Sequence, residues 1–301
     1  MIETPTRRWS GRALRNRCLV SLVHSDWSER PRLESRGGRH SVASPGDRPG
    51  VAAALESKSH LFEMNAEVVN RRRMPRFAHR ESDFKILVWG DSHAMALMPG
   101  IVAAAKQHDA AVIQATHSAT APLVGFVSEG QYALRDQSPA FAESVVGLCQ
   151  DEQIDVVILA ANWERYAKSQ EFGPRLEQTV AELRATGAAV WFVNDVPWMP
   201  IDMPHTLGRQ AFWNQPIEMP FVTNEEYTRR NAHTLAALTA ESLSDLVIVD
   251  PLPSFEQPDG HYHGYIDNEV LYRDKNHLTI AGMNRLAPLF ATQLANHRQS
   301  R

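Results

Sequence analysis

Short apolar runs alternate with longer amphipathic stretches from residue 84 to the end of the chain. Five runs are nearly continuous in apolar residues, as strands buried on both faces are; they occupy residues 84–89, 111–115, 154–160, 189–193 and 246–250. Stretches with helical spacing occupy about residues 94–108, 174–186, 224–241 and 279–296. Strands that alternate with helices predict right-handed crossovers and a parallel sheet. We therefore predict a three-layer α/β/α fold with a mostly parallel five-stranded sheet.

Residues 1–80 lack this alternation and differ in charge from the rest of the chain. They carry 16 Lys and Arg against 8 Asp and Glu, whereas residues 81–301 carry 15 against 27. Their one helical stretch is short, at about residues 51–69, and such segments bury too little apolar surface to offset the entropy of ordering. We therefore predict a basic, poorly structured extension over residues 1–80, followed by one domain over residues 81–301.

The alternative for the extension is a basic arm that contacts anionic lipid or nucleic acid. Because no pattern of stacking aromatic residues accompanies the charges, we expect no nucleic-acid partner. The apolar run near Cys18 is too short for a secretory signal, and residues 94–105, interrupted by Pro99, fall short of the about 20 apolar residues of a membrane span. We expect neither a signal peptide nor a transmembrane helix in this sequence.

Three polar blocks lie where the predicted strands end or the last helix begins. Ser92, in the block at residues 90–93, precedes a helix, whose N-terminus favours developing negative charge. Asn162 follows the third strand and could donate a hydrogen bond to an oxyanion. Asp274 and His277 are spaced so that the carboxylate can orient the imidazole, which then accepts a proton from a serine. Taken singly, each block has a structural alternative: a helix cap for Ser92, a local turn for Asn162, and a structural histidine near a helix start for His277.

Together the blocks resemble the SGNH hydrolase superfamily. They are most similar to the SGNH domain at the carboxyl end of acyltransferase-3 proteins, which O-acylate cell-surface polysaccharides. The matching segments lie within residues 84–295, at 88–94, 157–163 and 272–282. The resemblance implies a flavodoxin-like fold, with Ser92 as the nucleophile, His277 as the general base and Asp274 as the partner that orients it. It implies no cofactor and no metal ion.

The resemblance also implies three donors to an oxyanion: the backbone N–H of Ser92, the side chain of Asn162, and a backbone N–H in the loop after the second strand. Relatives often carry a Gly-Cys-Pro-Pro-like stretch in that loop, whereas this chain has Ala-Thr-Ala-Pro at residues 119–122. The third donor is therefore Ala119 by position or Gly125 by residue type. The cysteine pair that relatives carry ahead of the Asp/His block is absent, because Cys18 and Cys149 are the only cysteines.

An activated serine permits two reactions through an acyl-Ser92 intermediate. Water as the second nucleophile gives an esterase, and a sugar hydroxyl gives a transferase. The resemblance implies an acyl donor, a carbohydrate acceptor, a membrane acyltransferase-3 partner, and a periplasmic or cell-envelope location that this sequence gives no route to. A non-catalytic carbohydrate-binding or partner domain on the same fold is the alternative, because fold alone does not imply activity.

Two further features allow more than one interpretation. His261 and His263 lie on one side of an extended segment, where His205 or Asp259 could complete a metal site, although a solvated polar loop is the structural alternative. We expect the polar loop.

Two tryptophans, Trp198 and Trp213, lie in the long stretch at residues 197–222. Loops at the rim of a site often contact the ligand, and the exposed face of a tryptophan suits a sugar ring. Packing beneath the loop is the alternative role for at least one of them.

Overall fold

A computed structural model describes residues 49–58, 60–213 and 220–300. Most of the predicted extension, residues 1–48, lies outside this part of the chain. The described helices are α1 (Pro49–Glu56), α2 (Ala66–Asn70), α3 (Ser92–Gln107), α4 (Ser138–Glu152), α5 (Trp163–Tyr166), α6 (Phe172–Ala185), α7 (Met203–Phe212), α8 (Asn224–Arg230), α9 (Ala232–Ala237) and α10 (Ile280–Gln299). No helix in this part is long and apolar enough to cross a membrane.

The strands form one main sheet and two small two-stranded sheets. They are β1 (Arg76–Ala78), β2 (Lys85–Gly90), β3 (Ala111–Thr116), β4 (Val156–Ala160), β5 (Ala189–Val193), β6 (Phe221–Val222), β7 (Val247–Val249), β8 (Tyr262–His263), β9 (Tyr265–Ile266) and β10 (Glu269–Val270). The main sheet has the order β1-β3-β2-β4-β5-β7. Five of its strands are parallel, and β1 runs antiparallel to β3 at one edge. The predicted mostly parallel sheet is confirmed.

The central strand β2 aligns its carboxyl end with those of its two neighbours. Gly90 is paired with Thr116 at the end of β3 and with Ala160 at the end of β4. Because the three strands end level, the turns that follow them lie side by side at one edge of the sheet. The predicted polar blocks at Ser92 and Asn162 follow two of these strands.

Apolar side chains cover both faces of the main sheet and complete three layers. On one face α3 packs with α10, and their contact is close, because a Cβ on Gly100 would lie 2.3 Å from the Cε of Met283. On the other face, α4 and α6 contribute buried residues such as Phe141 and Leu176. The runs predicted as doubly buried strands are buried for this reason: β3 and β4 have no exposed residue.

The predicted domain boundary at residue 81 is wrong for the part of the extension that the structure describes. Met64, Val69 and Met74 are buried in the core with the residues of α4 and α6, and β1 adds a sixth strand to the main sheet. The Arg76 guanidinium also donates two hydrogen bonds, of 2.5 and 2.6 Å, to Glu152 on α4. The average composition of this segment hides these apolar positions, because exposed arginines surround them.

The observed helices differ from the sequence prediction in several places. The predicted helix at 51–69 is instead α1 and α2, separated by an irregular segment. Helix α4 was not predicted, and α7 lies in the stretch interpreted as a long loop. The predicted helix at 224–241 is divided into α8 and α9 at Asn231, whose side-chain amide donates a 3.0 Å hydrogen bond to the carbonyl of Tyr227.

Candidate active site

The turn after β2 presents Ser92 at the first position of α3. Gly90 allows this turn, because a Cβ there would lie 1.7 Å from the carbonyl oxygen of Ala160 on the neighbouring strand. Asp91 caps the helix, and its Oδ1 accepts a 2.8 Å hydrogen bond from the N–H of His93. Since Asp91 is the cap, the hydroxyl of Ser92 is left for other partners. Its N–H is one of the helix-start donors that have no intrahelical acceptor.

Ser92, His277 and Asp274 form a continuous line of hydrogen bonds. Ser92 Oγ lies 2.8 Å from Nε2 of His277, and Nδ1 of the same ring lies 2.7 Å from Oδ2 of Asp274. With the Nδ1 proton directed at the carboxylate, Nε2 accepts from the serine hydroxyl. The structure therefore brings together the three residues that the sequence singled out, although 185 positions separate Ser92 from His277.

The loop that carries the histidine also fixes its carboxylate partner. Oδ1 of Asp274 accepts hydrogen bonds from the backbone N–H groups of Asn276 (2.9 Å) and His277 (2.8 Å). Burial by itself raises the pKa of Asp274, but the hydrogen bond and charge of His277, with the two backbone donors, outweigh it and lower that pKa. Asp274 is therefore an ionised acceptor that holds the imidazole in one orientation.

Asp91 connects the turn that carries Ser92 to the turn after β4. Its buried carboxylate accepts, through Oδ2, a 3.1 Å hydrogen bond from the N–H of Asn162 and a 2.9 Å hydrogen bond from the hydroxyl of Tyr166. Burial raises the pKa of Asp91 even though these donors and the His93 N–H oppose the shift. The contact brings Asn162 beside the residue that precedes Ser92.

A second buried carboxylate, Asp195, holds the first turn of α5. Its Oδ1 accepts from the N–H of Trp163 at 3.1 Å, and its Oδ2 accepts from the N–H of Glu164 at 2.9 Å. Burial raises the pKa of Asp195 to about 8. The backbone from Asn162 to Glu164 is thus held between two carboxylates, Asp91 and Asp195.

The side chain of Asn162 is not used to cap α5. Its Oδ1 is buried and has no hydrogen-bond partner among the described residues. The alternative of a purely local turn role therefore has no contact to support it. The amide remains available at the edge of the sheet where Ser92 lies.

The two candidates in the loop after β3 have different surroundings. The N–H of His117 donates a 3.0 Å hydrogen bond to the carbonyl of Gly90, which places the start of this loop against the turn that carries Ser92. Two residues later, Ala119 has a positive φ of 52°, and its N–H has no acceptor in the described part of the chain. Gly125 also has a positive φ, of 67°, but it packs under the guanidinium of Arg175, which would lie 2.6 Å from a Cβ.

No role was predicted from the sequence for Asp91, His93 or Asp195, which contact the residues and turns of the site. His93 lies buried with its ring 4.7 Å from that of His277, and burial lowers its pKa well below the usual value, so it is a neutral neighbour. A small cavity of about 20 Å³ separates His93 from Asp195. The sequence signal for Asp91 and Asp195 is an acidic residue close after a strand that is buried on both faces. Asp91 directly follows β2, and Asp195 lies two residues after the end of β5.

The histidines considered for metal binding have other contacts. Nε2 of His263 lies 2.9 Å from Oδ2 of Asp259, and the ring of His261 stacks on Phe221 at 4.4 Å. Within residues 49–58, 60–213 and 220–300, no group of three or more His, Cys, Asp or Glu side chains is placed to hold a metal ion.

The two tryptophans of the long stretch differ in exposure. Trp198 is half-buried under the guanidinium of Arg230, which lies 4.6 Å from its ring. Trp213 is 65% exposed and meets Phe212 edge-to-face at 5.1 Å. Packing is thus the observed role of Trp198, and Trp213 stays a candidate for ligand contact.

A parallel sheet with a hydrogen-bonded serine, histidine and aspartate at its carboxyl edge is an arrangement typical of serine-dependent α/β enzymes. The chain belongs to the SGNH family: residues 65–292 match the family model described as the SGNH domain fused to AT3 (acyltransferase-3) domains. This membership supports an enzyme that acts on acyl esters. No curated protein sequence matches the chain.

Two of the solved structures to which the chain is similar are an acetyltransferase domain and a lipase. One is the periplasmic domain of the lipopolysaccharide acetyltransferase of Salmonella ser. Paratyphi A, with a TM-score of 0.59 and 14% identity, covering 80% of this chain and 93% of that one. A GDSL-like lipase of Bacteroides thetaiotaomicron has a TM-score of 0.42 and 10% identity, covering 71% of this chain and 89% of that one. At this identity, the likeness to the acetyltransferase domain shows a shared fold.

Proposed function

We propose that this chain carries out serine-dependent acyl-ester chemistry on cell-surface carbohydrate, as O-acyl transfer or as ester hydrolysis. The observation that carries the proposal is the hydrogen-bonded line from Ser92 through His277 to Asp274, with distances of 2.8 and 2.7 Å. A nucleophile held by a base, which is itself held by a third group, is the arrangement that activates an alcohol. The carbohydrate rests on the family resemblance, and the similar acetyltransferase domain, named for lipopolysaccharide, agrees with it.

In the proposed reaction, His277 Nε2 takes the proton of Ser92 as Oγ attacks the carbonyl carbon of an acyl ester. The tetrahedral intermediate collapses, and the departing alcohol oxygen receives that proton from His277, which leaves acyl-Ser92. Water or a sugar hydroxyl then attacks the acyl carbon while His277 takes its proton. Collapse returns the proton to Ser92 and releases either the free acid or the acylated sugar.

Three donors are proposed for the oxyanion: the N–H of Ser92, the side-chain amide of Asn162 and the N–H of Ala119. All three belong to turns joined at the end of β2, since Asp91 contacts Asn162 and His117 contacts Gly90. Ala119 is preferred to Gly125, because Gly125 packs against α6 through Arg175. Each such donor typically lowers the barrier by about 3–4 kcal/mol.

The proposed partner is a membrane protein with an acyltransferase-3 domain, which would supply the acyl group. The family is one whose SGNH domains are fused to such domains. This partnership places the reaction in the periplasm or cell envelope, where the carbohydrate acceptor would be found.

The test compares the wild type with Ser92→Ala and with the control Ser144→Ala. Ser144 is a half-buried residue of α4 whose hydroxyl donates a 2.8 Å hydrogen bond to the carbonyl of Ala140. We expect the wild type and Ser144→Ala to hydrolyse 4-nitrophenyl acetate and to react with a fluorophosphonate probe, and Ser92→Ala to do neither. If the wild type shows no labelling and no Ser92-dependent turnover, the non-catalytic carbohydrate-binding domain is the better description. Adding a cello-oligosaccharide and measuring its acetylation separates transfer from hydrolysis.

A further inference from the structure

An open groove lies beside the candidate active site, between the loop after β3 and helix α5. Its volume is about 520 Å³, within the range of about 300–1,000 Å³ that small-molecule sites have. One wall comes from the loop after β3 and the other from α5 and the residues that follow it; the lining residues are Phe126, Val127, Glu129, Arg165, Tyr166, Ser169 and Glu171. None of the three hydrogen-bonded residues of the site lines this groove, so it is a separate feature.

Tyr166 joins the groove to the nucleophile turn. Its ring forms part of the wall, and its hydroxyl donates to Oδ2 of Asp91, directly before Ser92. Helix α5 begins after Asn162, and the opposite wall belongs to the same loop as Ala119. The groove is therefore lined by the segments that continue from the two turns carrying the proposed oxyanion donors Asn162 and Ala119.

The two walls are fixed to each other before any ligand binds. Nη2 of Arg165 donates a 2.6 Å hydrogen bond across the groove to the carbonyl of Glu129. The next residue, Gly130, has a φ of 129°, and a Cβ there would lie 2.6 Å from the same Nη2. Arg135 donates from Nε to the carbonyl of Gly130 at 3.2 Å. A groove held in this way loses little conformational freedom when it binds a ligand.

The chemistry of the lining suits a neutral ligand rich in hydroxyl groups. Glu129 and Glu171 offer carboxylate acceptors, and Arg165 offers donors. The apolar part of the lining includes Phe126 and Tyr166, whose rings meet edge-to-face at 6.1 Å. Nε of Arg175 lies 3.6 Å from Oε2 of Glu171. With Arg165 and Arg175 beside Glu129 and Glu171, the positive and negative charges at the groove are balanced. An anionic ligand would meet two carboxylates, whereas a polyol can donate to them and accept from the guanidinium.

We propose that this groove binds a neutral oligosaccharide and directs its ester or hydroxyl group towards Ser92. The proposal deepens the proposed function and rests on it. Apolar contact with Val127, which is 46% exposed, and hydrogen bonds to Glu129 would provide the recognition.

The experiment measures how each variant discriminates between two esters. The readout is kcat/KM for a partially O-acetylated cello-oligosaccharide divided by kcat/KM for 4-nitrophenyl acetate, which has no sugar. Val127→Trp fills the groove, and Glu129→Ala removes an acceptor while its backbone carbonyl still accepts from Arg165. We expect each to lower the ratio by about tenfold, mainly through KM for the sugar ester. Tyr132→Trp is the matched control, because it changes a 68% exposed residue of the same loop outside the groove.

The inference is overturned if the groove variants change neither ester, or lower both equally, or if the wild type turns over only the aryl ester. Its failure is distinct from failure of the proposed function. If only the groove inference fails, Ser92-dependent hydrolysis of 4-nitrophenyl acetate persists in the wild type. If the proposed function fails, that hydrolysis is absent.

Discussion

The hydrogen bond from Tyr166 to Asp91 offers a sensitive test of how the nucleophile turn is held. Replacing Tyr166 by Phe keeps the ring, which is 4% exposed, and removes only the hydroxyl that donates to Oδ2 of Asp91 at 2.9 Å. Burial, and then the charge of Asp91, raises the pKa of Tyr166 well above its usual value, so the hydroxyl stays protonated and remains a donor. In Tyr166→Phe, Oδ2 keeps one donor, the N–H of Asn162.

The expected loss of stability follows from the kind of bond removed. A hydrogen bond to a charged group contributes about 1.5–3 kcal/mol. For a domain of this size, each kcal/mol changes the melting temperature by about 2–4 °C. We therefore expect Tyr166→Phe to melt about 3–12 °C below the wild type where Asp91 is ionised.

The size of this loss depends on pH in a definite direction. Burial raises the pKa of Asp91, so the folded protein loses stability as the pH rises through that raised pKa. Removing the Tyr166 donor raises the pKa further, because the ionised carboxylate loses a partner. The cost of Tyr166→Phe is therefore smallest below the raised pKa that Asp91 has in the wild type, and largest above the still higher pKa that it has in the variant.

The assay is thermal unfolding of the wild type, Tyr166→Phe and the control Tyr132→Phe across a series of pH values, from acidic to alkaline. Tyr132 is 68% exposed, so losing its hydroxyl should leave the melting temperature unchanged. We also expect slower fluorophosphonate labelling of Ser92 in Tyr166→Phe, because Asp91 fixes both the nucleophile turn and Asn162. A loss that stays constant across the whole pH series, or the same loss in Tyr132→Phe, would refute this reasoning.

Three further predictions concern the same edge of the sheet. Gly90→Ala places a Cβ 1.7 Å from the backbone oxygen of Ala160 and should lower the free energy of unfolding by about 3 kcal/mol or more in a denaturant titration; a near-neutral effect would contradict the close approach. Asn162→Ala should reduce kcat for 4-nitrophenyl acetate by about 10²–10³ while the melting temperature changes little, and unchanged kcat would remove Asn162 from the oxyanion site. Burial raises the pKa of Asp195 to about 8. The stability that Asp195 contributes is therefore greatest below the usual pKa of an aspartate and decreases as the pH rises towards 8. The decrease in the free energy of unfolding is at most about 1.4 kcal/mol per pH unit. Asp195→Asn should flatten this part of the unfolding free energy plotted against pH, and an unaltered slope would assign it to other groups.

The sequence predicts the central sheet well, because strands covered on both faces leave a continuous apolar run. The parallel strands β2 to β5 and β7 all coincide with predicted runs. Residues 64–74 gave no such signal, since Met64, Val69 and Met74 bury single side chains among exposed arginines. Their burial depends on α4 and α6, which lie far along the chain.

The site was predictable where a short spacing carries the contact. Asp274 and His277 are three residues apart, and their hydrogen bond follows from that spacing within one loop. The contacts of Asp91 with Tyr166 span 75 positions, and a spacing of that length carries no pattern. The choice between Ala119 and Gly125 likewise needed the packing of Arg175, which no local sequence feature reveals.

The antiparallel strand β1 has a practical consequence for any shortened version of this protein. Residues 76–78 pair with residues 111–113, and Met64 donates a 2.7 Å hydrogen bond to the carbonyl of Thr116, so this segment covers the outer edge of β3. A polypeptide that began at residue 81 would expose that edge as a row of unpaired backbone groups. Such edges recruit strands from other molecules, so the shortened chain should aggregate, whereas one that keeps residues 60–80 should stay monodisperse.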